Sequence, residues 1–170
     1  MTWGEHKGIS LEKISASVLI ISDSLFTGSK EISEDESGAL AIDLLSNFGF
    51  EYINLDYYPD EIAAIKSKIQ DDIADSTGLI LLIGGTGISK RDVTTDAIKE
   101  IIKKELPGFG EEFRRKSFEQ VGSKAMMSRV IAGVKNESLV IGLPGSPKAV
   151  ELGVKLIEDI IFHVMELLRS

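Results

Sequence analysis

The sequence predicts a single-domain α/β fold with three layers, in which a mostly parallel sheet carries helices on both faces. Short, nearly continuous apolar runs at 17–21 and 78–83 are typical of strands buried on both faces. Segments with helical apolar spacing alternate with these runs, which favours parallel strands joined by helices. The length of 170 residues suits one domain with a sizeable core. We expect an N-terminal extension over 1–14 and the domain over 15–170.

The first half of the chain is predicted as follows. A polar stretch at 22–36 after the first strand indicates a long loop, and 37–48 has helical apolar spacing that ends at Gly49. A second strand is expected at 52–57. Asp60 is the expected N-cap of the next helix, which leads to the third strand at 78–83.

The second half begins with a helix that Thr94 or Thr95 is expected to cap and that Pro107 and Gly108 end. A further helix is predicted over 111–120. Two strands at 128–134 and 138–141 are joined by a tight turn at 135–137, and Pro147 begins a last helix that continues to about 168. Ligands of such sheets bind beyond the carboxyl ends of the strands, so we expect the site in the loops at 22–38, 84–93 and 143–147.

Composition excludes several classes of function. The net charge of −8 disfavours binding to nucleic acid or to an anionic membrane. The absence of cysteine excludes disulfides, thiolate nucleophiles and Cys-ligated metals. His6 and His163 lie near the two ends of the chain, which disfavours a His-based metal site or a Ser/His/Asp triad. Without an apolar signal segment or a run that could span a bilayer, the protein is expected to be cytoplasmic.

A glycine-rich turn follows the third predicted strand. Gly84, Gly85, Thr86 and Gly87 would let the backbone approach a ligand closely, and successive N–H groups in such a turn bind anions. A plain strand-to-helix turn is the alternative. The turn lacks the features of a Walker A motif and of the dinucleotide-binding glycine pattern.

Two aspartates add a possible cation site. Asp92 stands beside the glycine-rich backbone, and a carboxylate next to bound phosphates is the usual composition of a Mg²⁺ site. Asp60 is the second candidate, with a simple N-cap role as an equally weighted alternative. Lys90 and Arg91 flank the turn and would either screen phosphate charge or remain solvated.

The loop after the last predicted strand is a second anion-friendly feature. Gly145 and Ser146 offer donors just before a helix N-terminus, and Lys148 adds a positive charge. An ordinary helix start with Ser146 as N-cap is the alternative.

Three motifs in this order, GGTGISKRDVTTDAI, PGFGEEFRRKS and LPGSPKA, resemble the MoaB/MogA family of molybdenum cofactor biosynthesis, whose fold also forms the gephyrin G domain. The likeness covers roughly 15–168, and 111–133 is more similar to the MoaB branch. It implies adenylyl transfer from Mg-ATP to the terminal phosphate of molybdopterin, with release of pyrophosphate. A non-catalytic molybdopterin-binding protein and a nucleotide-binding protein outside this pathway are the competing hypotheses.

The resemblance also implies roles for individual residues. Asp92 matches the family's essential aspartate and Asp60 the second acidic position, so both are expected to be catalytic and to hold the metal. The expected nucleotide-binding residues are Gly84, Gly85, Thr86, Gly87 and Arg91. The expected molybdopterin-binding residues are Ser22, Asp23, Gly38, Gly145, Ser146 and Lys148. Two positions depart from MogA-type sequences, which have proline in place of Thr95 and arginine in place of Ser24.

Assembly is the last expectation. Five large apolar residues cluster in one segment, at Phe109, Phe113, Phe118, Met126 and Met127. We expect part of this cluster to pack against another subunit, with core packing as the alternative. The resemblance implies a homotrimer or hexamer and a downstream molybdenum-insertion protein as a further partner. Neither it nor the residues distinguish molybdenum from tungsten.

Overall fold

The computed structural model describes residues 10–170, so His6 and most of the predicted N-terminal extension lie outside the described residues. The strands are β1 (Ser15–Ile21), β2 (Tyr52–Tyr58), β3 (Leu79–Ile83), β4 (Lys104–Glu105), β5 (Ile131–Lys135) and β6 (Ser138–Leu143). The helices are α1 (Asp23–Phe26), α2 (Glu36–Phe48), α3 (Ile62–Ala74), α4 (Thr94–Ile101), α5 (Pro107–Val121) and α6 (Pro147–Arg169). Short 3₁₀ turns occupy Leu11–Lys13, Ile32–Glu34 and Gly122–Met127.

All six strands form one sheet in the order β2-β1-β3-β6-β5-β4. The pairs β1–β2, β1–β3 and β3–β6 are parallel, so these four strands end at the same edge. Strand β5 is antiparallel to both β6 and β4. The predicted tight turn between β5 and β6 is confirmed, with Lys135 paired to Ser138 and Asn136 at φ 52°.

Helices cover both faces of the sheet, which confirms the predicted α/β class. On one face α2, α5 and α6 pack over the strands through residues such as Leu45, Phe113 and Ile157. On the other face α3 and α4 do the same through Ile65 and Ile98. Fully burying each such side chain contributes about 1.5–3 kcal/mol to the stability of the folded state. Packing on both faces therefore fixes the positions of the strands.

The N-terminal boundary of the packed core precedes the predicted one. Leu11 and Ile14, which fall within the predicted extension over 1–14, are buried in the larger core cluster. In residues 10–170, no helix is both long enough and apolar enough to cross a membrane.

Two predicted helix caps are wrong. Helix α3 begins at Ile62 with Glu61 in the cap position, so Asp60 is not its N-cap. Helix α4 begins at Thr94 itself, after Val93, and neither threonine caps it through its side chain. The side chains form other hydrogen bonds: the Asp60 carboxylate accepts from the Asp23 amide, and the Thr95 hydroxyl donates to the Arg129 carbonyl.

Other differences follow from features too short for a sequence pattern. The predicted loop at 22–36 contains α1 and a 3₁₀ turn, and β4 has only two residues. Helix α4 ends at Ile101, whereas Pro107 occupies the first turn of α5 and begins that helix instead of ending the previous one. Strand β5 begins at Ile131 and not at 128, and just before it the Arg129 amide donates to the Thr86 carbonyl, which belongs to no strand.

Candidate active site

Four strand ends bring the candidate residues to one edge of the sheet. The amide of Ser22 donates to the carbonyl of Tyr58 over 2.9 Å, and the amide of Gly84 donates to the carbonyl of Leu143 over 2.9 Å. These bonds continue the parallel pairing one residue beyond the strands. The loops that follow β1, β2, β3 and β6 therefore start side by side.

The glycine loop, residues 84–93, turns sharply away from β3. Gly84 and Gly85 have φ angles of 105° and 68°, which other residues rarely adopt. A Cβ atom at Gly84 would lie 2.5 Å from the Ile21 carbonyl oxygen, and one at Gly85 would lie 2.4 Å from the Thr94 Oγ1 atom. The turn itself thus requires both glycines, whether or not a ligand binds there.

Asp92 is held at the far end of this loop. Its Oδ2 atom accepts a hydrogen bond of 2.8 Å from the Ser89 amide, and its own amide donates to the Ser89 carbonyl. Hydrogen bonding by Ser89 lowers the pKa of Asp92, and the Gly87 amide and the charge of Arg129 act in the same direction. The carboxylate also lies 2.8 Å from the position of a Cβ at Gly87, so it stands directly against the glycine turn.

Asp60 is tied to the loop after β1. Its Oδ2 atom accepts from the Asp23 amide over 3.1 Å, while its own amide donates to Asp23 Oδ1 over 3.0 Å. The Asp60 Oδ1 atom lies 3.3 Å from the position of a Cβ at Gly85. Burial raises the pKa of Asp60, and the negative charge of Asp92 raises it further. The two carboxylates predicted to act together are therefore close enough to repel each other.

Arg91 and Asp23 connect the glycine loop to the segment that follows β1. The Arg91 guanidinium forms an ion pair with the Asp23 carboxylate, although its side chain is 72% exposed. An exposed pair of this kind contributes little to stability. Arg91 is therefore free to exchange Asp23 for another anion at small cost.

Arg129 is a residue of this site that the sequence motifs did not indicate. Its Nε atom donates to the Gly87 carbonyl over 2.8 Å, and its Nη2 atom donates to the Asp92 carbonyl over 2.6 Å. Its guanidinium also forms a bidentate pair with the Asp96 carboxylate. These partners lie 33–42 residues earlier in the chain, and no local pattern could have revealed them.

Gly84 also lines a cleft of about 610 Å³ next to the segment that follows β1, and we call it the main cleft. Residues from 22–37 line it together with Gly84, Gly145 and Pro147. The Ser37 hydroxyl donates to the Gly145 carbonyl over 2.6 Å and connects the start of α2 to the loop after β6. The polar lining consists of three hydroxyl groups, one cation and three carboxylates: Ser22, Ser33, Ser37, Lys30, Glu34, Asp35 and Glu36.

Asp35 also lines this cleft, but its carboxylate already has partners. One oxygen accepts from the Gly38 amide over 2.9 Å, and the other accepts from the Tyr57 hydroxyl over 3.0 Å. Burial, together with this hydrogen bond, raises the pKa of Tyr57 to about 12. Asp35 therefore caps α2 and orients the wall of the cleft.

The residues predicted to bind molybdopterin do not all face the main cleft. Ser22 and Gly145 line it, whereas Asp23 pairs with Asp60 and Arg91. Gly38 packs against Asp35, since a Cβ there would lie only 2.0 Å from the Asp35 Oδ2 atom.

Ser146 and Lys148 stand at the start of α6. The Ser146 Oγ atom accepts from the Ala149 amide over 3.3 Å, so the N-cap role is real. Both residues line a separate pocket of about 160 Å³ together with Gln120 and Lys124. A hydroxyl that accepts from a cap amide can still donate its own hydrogen, so capping and ligand binding are compatible at Ser146.

Comparison with known proteins now identifies the family. The family described as "probable molybdopterin binding domain" matches residues 17–163. The chain belongs to this family. Within it, the protein falls in the MoaB/MogA group of molybdenum cofactor biosynthesis, as the motif resemblance implied.

Individual relatives agree with this assignment. The chain is 38% identical over 171 residues to molybdenum cofactor biosynthesis protein B of Staphylococcus carnosus, covering 97% of each protein. It is 35% identical over 170 residues to a Pyrococcus furiosus protein named molybdopterin adenylyltransferase, covering 98% of each. The crystal structure of a tungsten cofactor synthesizing MoaB from Pyrococcus furiosus superposes with a TM-score of 0.83 at 34% identity, covering 92% of this chain and 98% of that one.

The two residues that depart from MogA-type sequences, Thr95 and Ser24, both form side-chain hydrogen bonds. The Thr95 hydroxyl donates to the Arg129 carbonyl over 2.7 Å, a bond that proline could not make. The Ser24 hydroxyl lies 3.1 Å from the Ser22 hydroxyl and shares a hydrogen bond with it. Thr95 thus links the start of α4 to Arg129.

Proposed function

We propose that this protein transfers an adenylyl group from Mg-ATP to the terminal phosphate of molybdopterin and releases pyrophosphate. The observation that carries the proposal is the convergence of Asp60 and Asp92, from two different loops, on the glycine turn. The negative charge of Asp92 makes ionisation of Asp60 less favourable, and such a pair of neighbouring carboxylates favours a site that receives a cation. The relative named molybdopterin adenylyltransferase, at 35% identity, supports the same activity.

The residues present suit magnesium. Asp60 and Asp92 supply hard oxygen ligands, and Thr94 Oγ1, a buried hydroxyl without a hydrogen-bond partner, lies beside Gly85. Residues 10–170 contain no cluster of three or more acidic, His or Cys side chains that would form a complete protein cage. Magnesium commonly takes one or two carboxylates and completes its shell with substrate phosphates and water. When bound, the ion neutralises phosphate charge as it develops in the reaction.

The chain's own residues then have to bind and orient two polyanions. An oxygen of the pterin's phosphate attacks the α-phosphorus of ATP, and the bond from that phosphorus to pyrophosphate breaks. The attacking phosphate is already anionic at neutral pH, so no histidine base is needed. His163, on α6, lines a different groove between α5 and α6. Positioning and charge neutralisation are therefore sufficient for catalysis.

We assign the glycine loop to the nucleotide and the main cleft to the pterin. The loop combines backbone amides with Asp60, Asp92 and the exposed cation Arg91. The main cleft combines hydroxyl groups with a volume of about 610 Å³, which suits a medium-sized organic ligand. Gly84 belongs to both regions, so the reacting phosphates of the two substrates would meet near it.

Pyrophosphate release tests the proposal directly. With Mg-ATP, we expect purified protein to release pyrophosphate only when molybdopterin is added. The competing hypothesis is a molybdopterin-binding protein without turnover, and several Staphylococcus relatives are named only as cofactor biosynthesis protein B. Tight molybdopterin binding without pyrophosphate release would support that hypothesis and reject the transferase.

We also propose a homo-oligomer, for which the structure offers a surface. Of the five apolar residues in the cluster, part of which is expected at an interface, Phe109 and Phe113 are buried in the core and leave the other three for the interface. Phe118 and Met127 are about half exposed and Met126 is 73% exposed, with Val121 beside them in the chain. A monomeric mass in light scattering at micromolar concentration would reject the oligomer.

A further inference from the structure

Within residues 10–170, Arg129 makes four side-chain hydrogen bonds, all of them to the glycine loop or to the helix that follows it. The Nε and Nη2 atoms bind the carbonyls of Gly87 and Asp92, and the guanidinium binds Asp96 through two oxygens. A guanidinium has five N–H groups. Four of them are therefore engaged within the protein, and only one remains for a substrate.

The two carbonyls that Arg129 binds are the ends of one short turn. Gly87 and Asp92 enclose the segment that carries the Asp92 carboxylate, and the distances to them are 2.8 and 2.6 Å. The backbone amide of Arg129 also donates to the Thr86 carbonyl over 2.8 Å. The residue therefore holds the turn at three carbonyls, on both sides of the segment from 87 to 92.

Helix α4 in turn holds Arg129. Its bonds to Asp96 measure 2.9 and 3.0 Å, and the Thr95 hydroxyl donates to its carbonyl over 2.7 Å. Hydrogen bonding to Arg129 lowers the pKa of Asp96, so the pair stays charged. The planar fork of arginine matches a carboxylate in a way that the single ammonium of lysine cannot. The guanidinium is thus fixed before any ligand arrives.

We infer that Arg129 is a positioning residue for the transfer reaction, acting through Asp92 without touching either substrate. It keeps the turn from 87 to 92 closed, so that the Asp92 carboxylate faces the phosphates bound at the glycine turn. The role in catalysis rests on the proposed function, whereas the hold on the turn does not. Arg91 differs from it in exposure and in partners, because that side chain is largely exposed and, among the described residues, its ion pair is with Asp23.

Amide hydrogen exchange tests the hold on the turn independently of any activity. In Arg129→Gln, the amides of Ser89 and Asp92 should exchange faster by about 10-fold or more, since losing bonds to a charged donor costs about 1.5–3 kcal/mol, or roughly 10- to 150-fold. Arg129→Lys guards against a folding defect and should recover only part of the protection. Unchanged exchange at these two amides in both variants would overturn the inference.

Metal binding tests the consequence for Asp92. With ATP present and Mn²⁺ as the probe for the metal, the affinity for Mn²⁺ should fall about 10-fold in Arg129→Gln, while molybdopterin affinity stays within about twofold. Arg114→Gln is the matched control, because Arg114 binds the Ser128 and Val130 carbonyls on either side of Arg129 but not the loop. Normal Mn²⁺ affinity in Arg129→Gln would overturn the positioning role. A wild-type protein that binds no Mn²⁺ with ATP would instead reject the proposed function, and hydrogen exchange would still decide whether Arg129 holds the turn.

Discussion

The glycine loop and the main cleft leave the same edge of the sheet, but they present different chemistry to a ligand. The loop carries Asp92, stands beside Asp60 of the loop after β2, and is held by hydrogen bonds from Arg129. The cleft presents hydroxyl groups and Lys30 together with three carboxylates. Asp35 is occupied by Gly38 and Tyr57, Glu34 accepts from the Glu31 amide, and Glu36 is exposed. We therefore expect a ligand phosphate beside Asp60 and Asp92 to need a cation, whereas a ligand in the cleft can bind through the hydroxyl groups and Lys30. This difference supports the proposed division, in which the loop takes the nucleotide and the cleft takes the pterin.

The largest effect should come from removing the charge of Asp92. Asp92→Asn keeps the size and the acceptor oxygen but loses the negative charge, so we expect normal folding and a fall in turnover of roughly 100-fold or more. Pyrophosphate release measures the effect. Asp71→Asn, at an exposed position on α3, is the matched control and should turn over normally. Unchanged release in Asp92→Asn would remove this residue from the mechanism.

Asp60→Asn sharpens the same comparison. Because Asp60 does not cap α3, its loss should not simply weaken a helix. The amide oxygen of asparagine can still accept from the Asp23 amide, so the link between the loops should survive. We expect a turnover loss approaching that of Asp92→Asn, measured in the same assay. A loss of only a few fold would make Asp60 a structural link between loops.

Ser146 lines the smaller pocket, but it lies between Gly145 and Pro147, which line the main cleft. Ser146→Ala should therefore affect the pterin and spare the nucleotide. Losing one hydrogen bond to a charged phosphate costs about 1.5–3 kcal/mol, which is roughly 10- to 150-fold in affinity. Since Ser146 also caps α6, unfolding should become easier by about 1 kcal/mol. Ser146→Thr keeps both functions and is the control in separate titrations with molybdopterin and ATP. Equal weakening of both ligands would mean that the two regions form one site.

Gly85→Ala should weaken ATP binding and spare the pterin, with a smaller effect than that of Ser146→Ala. The positive φ costs a non-glycine residue about 1–2 kcal/mol, and the added Cβ would lie 2.4 Å from the Thr94 hydroxyl oxygen. We expect ATP affinity to fall roughly 5- to 30-fold while pterin affinity stays near normal. Gly108→Ala is the control, since nothing lies within 4 Å of a Cβ there. Normal ATP affinity in Gly85→Ala would argue against nucleotide binding at this turn.

The two aspartates should have small and opposite effects on stability as pH changes in metal-free protein. The raised pKa of Asp60 means that the folded state binds its proton more tightly, so this group's contribution is lost as pH rises through its folded pKa. The lowered pKa of Asp92 means that its contribution is present at neutral pH and lost as pH falls through its folded pKa. Thermal unfolding at neutral pH should therefore show Asp60→Asn more stable than Asp92→Asn. The difference should disappear in acid, where both wild-type groups are protonated.

Most of the fold could be predicted from the sequence because it rests on local patterns. The buried runs of β1 and β3, the glycine after α2 and the proline that begins α6 each have a short-range physical cause. The candidate residues at strand ends could be predicted for the same reason, since parallel strands bring their carboxyl ends together. Strand β4, with two residues, is too short to leave any such pattern.

The site's long-range contacts could not be predicted. An aspartate just before a helix suits an N-cap as well as a ligand, and only the Asp23 amide, 37 residues away, shows which partner it takes. Arg129 stands before an ordinary apolar strand, and its partners Gly87 and Asp92 lie 42 and 37 residues earlier. Pro107 is compatible with ending one helix or beginning the next, and the choice depends on β4 lying between them.

The identity of the pterin product tests the central claim most directly. Molybdopterin incubated with the protein and Mg-ATP should be recovered, by mass spectrometry, with one AMP attached to its terminal phosphate. The same incubation with Asp92→Asn should return it almost entirely unmodified. Unmodified pterin from the wild-type protein, under conditions where both molybdopterin and ATP are bound, would contradict the account.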